Sequence, residues 1–175
     1  MIQNNISLDT KRLRLVPMTY DFVIKVMASD SSAYGLLGAV KTKTWPEDMD
    51  IKDILHLIRD NLKNIDVPTG FDSWLFINNQ DNTVVGDGGF RGAPDENGVI
   101  ELGYAIIAAQ RKKGFGFEAA SALLEWGLVQ DGVNTVTADC LDNNVPSIKI
   151  LSKLGMKETE RKDGMIFYHI TNPVL

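Results

Sequence analysis

The run Arg111-Lys112-Lys113-Gly114-Phe115-Gly116 is where this sequence first suggests chemistry. It stands between an apolar stretch and an apolar-striped one, the place where a strand hands over to a helix. Glycines there let the backbone take unusual torsions and come close to a ligand, while the free amides of a helix start converge on an anion such as a pyrophosphate. Three adjacent cations add attraction for further phosphate charge. The same spacing also describes an ordinary solvated loop tightened by glycines. Other nucleotide signatures fail. No Gly-x-x-x-x-Gly-Lys-Ser/Thr element is present, and Gly86-Asp87-Gly88-Gly89 is followed by Arg91 where a dinucleotide fingerprint needs its third glycine. Those glycines read instead as shaping a strand. His56 and His169 have no acidic or cysteine partners at metal spacing, so both read as structural or surface residues and no metal is expected. Cys140 sits in an apolar strand, where a thiol is usually inert packing.

The elements that must position this loop follow from periodicity. Arg12 to Met18 alternates like a half-buried strand, and Tyr20 to Ala28 carries Phe22, Val23, Val26 and Met27 at helical spacing. Ser29 to Asp50, with glycines at 35 and 38 and Trp45-Pro46, reads as an irregular flap before a helix marked by Ile51, Ile54, Leu55 and Ile58. Ser73 to Asn78, Thr83 to Arg91 and Val99 to Ile106 read as a three-strand meander. A helix over Gly114 to Gln130, a strand over Thr135 to Cys140, a helix over Asn144 to Leu154 and a closing hairpin of Met156 to Arg161 and Met165 to Thr171 complete the chain. The class is mixed α and β.

Composition narrows what such a fold binds. Hydrophobic residues are 44% of 175 and no linker or repeat interrupts them, so one domain over 1–175 is expected. Lysine and arginine total 18 against 23 aspartates and glutamates, and the resulting net charge of -5 disfavours general attraction to nucleic acid or an anionic membrane. No uninterrupted apolar stretch approaches the roughly 18 residues of a membrane helix. The single cysteine excludes an intrachain disulfide, and the first seven residues lack the basic and apolar parts of a secretory signal. A soluble protein of the reducing cytoplasm is the expectation.

Arg111 to Gly116 resembles the Arg/Gln-x-x-Gly-x-Gly/Ala acyl-CoA loop of the GNAT N-acetyltransferases. Leu8-Asp9-Thr10-Lys11-Arg12-Leu13-Arg14-Leu15, Trp45-Pro46 and Glu101-Leu102-Gly103-Tyr104 are similar to elements of that family's ribosomal-protein N-terminal acetyltransferase branch. So are Asn144-Val145-Pro146-Ser147 and Lys153-Leu154-Gly155-Met156, and all occur in the family's order from about Leu8 to Thr171. The resemblance implies an α+β fold with a seven-stranded, mainly antiparallel sheet and flanking helices. Its fourth and fifth strands, here Val99 to Ile106 and Thr135 to Cys140, would be parallel neighbours that splay around the pantetheine arm of acetyl-CoA, the co-substrate.

It further implies that Arg111, Lys112, Lys113, Gly114, Phe115 and Gly116 bind the pyrophosphate and that Asn144 contacts pantetheine. Amides at Ile106 and Ile107 would bind pantetheine and polarise the acyl carbonyl. Transfer to an amine also needs a base and a proton for the departing thiolate. Glu101 stands about where several family members carry the base, and Asp87 is the second choice. A glutamate in an apolar stretch has a raised pKa, which suits a base near neutrality; the alternative is a structural glutamate. Part of the family protonates the thiolate with a tyrosine at the position held here by Leu151, so Ser147 becomes the candidate donor, with a first-turn capping role as its alternative. Trp45, in the flap, is the candidate to line the acceptor pocket, whereas Trp74 and Trp126 read as core. The implied activity is direct acetyl transfer to a primary amine, either a protein N-terminus or a small molecule, by a chain that a homodimer would also suit. A non-catalytic acyl-CoA-binding regulatory module is the competing reading.

Overall fold

The computed structural model describes residues 6–46 and 50–172. Among these, eight strands form one sheet in the order β1-β2-β3-β4-β5-β6-β8-β7. The strands are β1 (Leu8–Asp9), β2 (Leu13–Pro17), β3 (Ser73–Asn78), β4 (Val84–Phe90), β5 (Val99–Ile106), β6 (Thr135–Leu141), β7 (Lys157–Lys162) and β8 (Met165–Thr171). Every neighbouring pair is antiparallel except β5 and β6. Seven of the strands are those anticipated. The eighth, β1, is a two-residue strand folded back onto Leu15 and Arg14, too short to show a period of its own.

Helices cover both faces. α1 (Tyr20–Met27), α2 (Ala33–Leu36) and α3 (Ile51–Leu62) lie on one face, and α4 (Phe115–Leu128) and α5 (Val145–Lys153) on the other. Strand alternation divides the core accordingly. Trp74 and Phe76 join the α4 layer with Leu13, Leu15, Ala119 and Leu123, while Leu75 and Ile77 join Phe22, Val23, Leu55 and Trp45 opposite. With both faces covered, β3 reads as an unbroken apolar run, Trp-Leu-Phe-Ile. β7 shows the reverse. It is an exposed edge strand of sequence Lys-Glu-Thr-Glu-Arg-Lys, whose charges discourage pairing with another chain.

The described residues of the flap, 29–46 and 50, are more ordered than its irregular sequence suggests. α2 lies within it, Val40 forms a parallel bridge to Thr83, and Tyr34 and Trp45 are buried among Phe22 and its neighbours. The glycines of β4 serve close strand approach, since a Cβ at Gly86 would collide with the Ala105 carbonyl and one at Gly88 with the Gly103 carbonyl. No helix among the described residues is long and apolar enough to cross a membrane.

Candidate active site

The loop after β5 is built to leave backbone donors exposed. A 3-10 turn at Ala108–Gln110 leads into Arg111, then Lys112 and Gly114 take positive φ (61° and 85°) and α4 begins with Gly114 as its N-cap. Glycine has no side chain to cap the first turn, so the amides of residues 115–117 remain available for an anion at the positive end of the helix dipole. Two of the three cations are tethered in place: Arg111 Nε donates to the Ile106 carbonyl (3.0 Å) and Lys113 Nζ to Gln110 Oε1 (2.7 Å). Arg111, Lys112 and Lys113 are all exposed.

The loop is held from beneath by residues that sequence reasoning missed. Arg12 donates through Nε to Glu118 (2.7 Å), through Nη1 to the Lys113 carbonyl (2.8 Å), and lies 4.6 Å from the centre of the Phe115 ring. The Arg12 amide and the Thr10 hydroxyl donate to the other Glu118 oxygen. Burial pushes the Glu118 carboxyl up, but the hydrogen bonds from Thr10 and Arg12 outweigh it and hold the group below its usual range.

β5 and β6 part beside this loop. They pair only from Val99–Thr135 to Glu101–Thr137, although β5 continues to Ile106 and β6 to Leu141. On its other side β5 stays paired with β4 as far as Ile106. The Ile107 amide donates to the Val85 carbonyl (3.0 Å) and the Arg91 amide to the Glu101 carbonyl (3.1 Å), so the odd-numbered residues of β5 bond to β4. By antiparallel alternation, the main-chain groups of Tyr104 and Ile106 point into the gap. Of the two amides expected to meet a pantetheine arm, Ile106 therefore faces the gap. Ile107 does not, because its hydrogen is committed to Val85.

The far rim of the gap is the start of α5. Asn144 is the N-cap, its side chain accepting from the Ser147 amide (3.2 Å), and Pro146 in the first turn has no N–H to satisfy. Asn144 does the capping, which leaves the Ser147 hydroxyl without that duty. Leu151, where part of the family carries tyrosine, is in the core. A different tyrosine reaches this place: the Tyr104 ring passes from β5 beside Gly116 and Ile150, and its buried hydroxyl lies near the Ser147 hydroxyl without a well-formed hydrogen bond. Burial pushes its pKa up to about 12, against the lowering influence of the nearby Ser147 hydroxyl, with Cys140 and Tyr168 also adjacent.

The opposite face of the sheet carries the carboxylates, Glu101 on β5 and Asp87 on β4. Glu101 forms an ion pair with Arg91 (2.7 Å) and its side chain is 31% exposed. Its pKa is raised by burial, with Asp139 adding to the rise and Arg91 opposing it. Asp87, in register with Ala105, is 8% exposed and accepts the Trp45 indole N–H at 2.8 Å. Burial pushes Asp87 up to about 7; the Trp45 bond opposes the rise and Asp50 adds to it. The two acids lie four strand residues apart, about 13 Å, with open space over Gly103 between their levels. Trp45 itself is 0% exposed, stacked on Phe22, so it meets this trough through its bond to Asp87 and not as a wall of an open pocket. Trp74 is fully buried and Trp126 packs edge-on against it.

Comparison with known proteins agrees with this geometry. The sequence model of the Acetyltransferase (GNAT) domain matches residues 12–157. An uncharacterized N-acetyltransferase of Bacillus subtilis (strain 168), YjdG, is 36% identical over 148 residues, covering 85% of this chain and 88% of that protein. Among solved structures, RimL, a ribosomal L7/L12 alpha-N-protein acetyltransferase in complex with coenzyme A, superposes with a TM-score of 0.66 at 13% identity, covering 95% of this chain and 98% of that one. A ribosomal-protein-S5-alanine acetyltransferase from Vibrio fischeri superposes at 0.63 and 15% identity, covering 96% and 97%. With an uncapped helix start beside two parting parallel strands, and a family match over most of its length, the chain belongs to the GNAT acetyltransferase family.

Proposed function

We propose that this protein moves an acetyl group from acetyl-CoA to a primary amine by direct transfer. The observation that carries the reading is the β5–β6 gap opening beside the uncapped start of α4. The residues present fit the co-substrate: amides at 115–117 and the exposed Arg111, Lys112 and Lys113 would hold the pyrophosphate, while Ile106 and Asn144 would meet the pantetheine arm. When bound, acetyl-CoA supplies an activated thioester.

The chain's own groups do the rest. The Ile106 amide donates toward the acyl oxygen, where negative charge develops. Glu101 takes the amine's proton through water, its carboxylate partly exposed and paired with Arg91; Asp87 is the alternative base at the far end. Ser147 gives a proton to the departing sulfur. The acceptor approaches over Gly103, where no side chain blocks the sheet, and the neighbouring Glu101 and Asp139 carboxylates favour a cation. A protein N-terminus is the first acceptor to try, because RimL and the Vibrio fischeri enzyme are ribosomal-protein acetyltransferases. A single, buried, unpaired cysteine suits a cytoplasmic setting.

The test offers acetyl-CoA with a panel of primary amines and peptides bearing free N termini, following thiol release and product mass. Release matched by an acetylated amine supports the reading, and coenzyme A binding without transfer to any acceptor overturns it.

A further inference from the structure

Resting on the acetyl-transfer reading, we propose that Tyr104 is a positioning residue for proton delivery to the leaving sulfur, donating its phenol hydrogen to Ser147 Oγ and so turning the serine's own hydrogen into the gap. Three observations converge on it. Tyr104 and Ser147 come from opposite rims, β5 and the first turn of α5, to meet on one side of the parted strands. The Tyr104 hydroxyl is buried beside Ser147 yet makes no well-formed hydrogen bond, an expensive state for a polar group and one that native structures rarely keep without a use. Ser147 is relieved of helix capping by Asn144, so its oxygen is available to accept.

The chemistry closes without another reactant. As the carbon–sulfur bond breaks, its electron pair goes to sulfur and Ser147 passes its proton there; the Tyr104 O–H holds the charge left on Oγ, and solvent returns a proton as the thiol departs. A phenol kept protonated by burial stays a donor throughout the range in which an amine acceptor is attacked. A tyrosine from β5 thus stands in the neighbourhood that Leu151 leaves apolar.

The experiment compares Tyr104→Phe, Ser147→Ala and the double variant in kcat, acetyl-CoA affinity by calorimetry and melting temperature. Because Tyr104 acts through Ser147, Tyr104→Phe is expected to lower kcat on the order of tenfold with affinity and melting point held, and the double variant to match Ser147→Ala alone. A wild-type kcat in Tyr104→Phe, independent multiplication of the two losses, or loss of affinity and melting point together would overturn it. A second measurement needs no acceptor. In protein labelled at tyrosine Cζ with carbon-13, coenzyme A should shift the Tyr104 resonance in wild type and not in Ser147→Ala. Saturable coenzyme A binding with the same Tyr104 response in both proteins overturns this inference alone, whereas no binding at all removes the acetyl-transfer reading with it.

Discussion

Arg12 and Glu118, 106 residues apart in sequence, close on each other at 2.6 Å directly under the loop that precedes α4. The pair does more than tie β2 to α4. Arg12 also grips the Lys113 carbonyl, so the carbonyl just before Gly114 is held down while the following amides stay up. It also offsets the Glu118 carboxylate, which stands in the first turn of α4 and would repel the pyrophosphate proposed to bind there.

Breaking that pair is expected to weaken coenzyme A binding more than it weakens the fold. Arg12→Lys keeps the charge but loses the fork, and should raise the coenzyme A Kd roughly tenfold, in keeping with about 1.5–3 kcal/mol for a hydrogen bond to a charged group. Calorimetry with thermal melts measures both, and an unchanged Kd would remove Arg12 from loop positioning.

Glu118 also gives the fold a pH signature. Its folded pKa lies below the ordinary 4.5, so the unfolded chain binds the proton first. The stabilisation is therefore complete above about 4.5 and lost as pH falls through the lower folded value. Glu118→Gln should melt lower than wild type at pH 7, with the gap narrowing below pH 4.5 in a melting series.

Asp87 carries the opposite sign. Its folded pKa of about 7 stands above the ordinary 3.8, so the folded protein keeps a proton that the unfolded chain has lost, and stability declines as pH rises between those values. At about 1.36 kcal/mol per pKa unit the decline is roughly 4 kcal/mol. Asp87→Asn, which still accepts from Trp45, should show a flatter melting profile over pH 4–7 and exceed wild type above pH 7.

Glu101→Gln separates a base from a structural acid. A primary α-amine with a pKa of about 7.7–8.0 is mostly protonated at pH 7. Loss of the base should lower kcat/KM at neutral pH, with partial recovery as pH approaches the amine's own pKa. A profile parallel to wild type would move the role to Asp87.

Gly116→Asp should abolish coenzyme A binding in a folded protein, since it places a carboxylate beside phosphate and a Cβ 3.2 Å from Ile150 Cδ1. Wild-type affinity by calorimetry would sink the loop assignment.

What the sequence disclosed was local. Val99 to Ile106 shows as a strand to the residue, and the cationic glycine loop shows because its residue types are contiguous. α2 escaped notice, for four residues cannot display helical periodicity. Arg12–Glu118 and Tyr104–Ser147 also escaped, because each joins elements distant in the chain whose meeting depends on sheet order. The Trp45-Pro46 pair marks an irregular segment, but the burial of Trp45 follows from Phe22 and Tyr34 closing around it, which no local pattern shows.

The parting of β5 from β6 also bears on how this protein tolerates mutation. The groups of Tyr104 and Ile106 that line the gap belong to the main chain, and no side-chain replacement deletes them. Under the proposed acetyl transfer, side-chain variation along β5 would alter acceptor preference while the main-chain grip on acetyl-CoA would persist. Such robustness ends where strand spacing is set. Gly86 and Gly88, which let β4 lie close against β5, are the places where a single added methyl would move the whole row of donors at once.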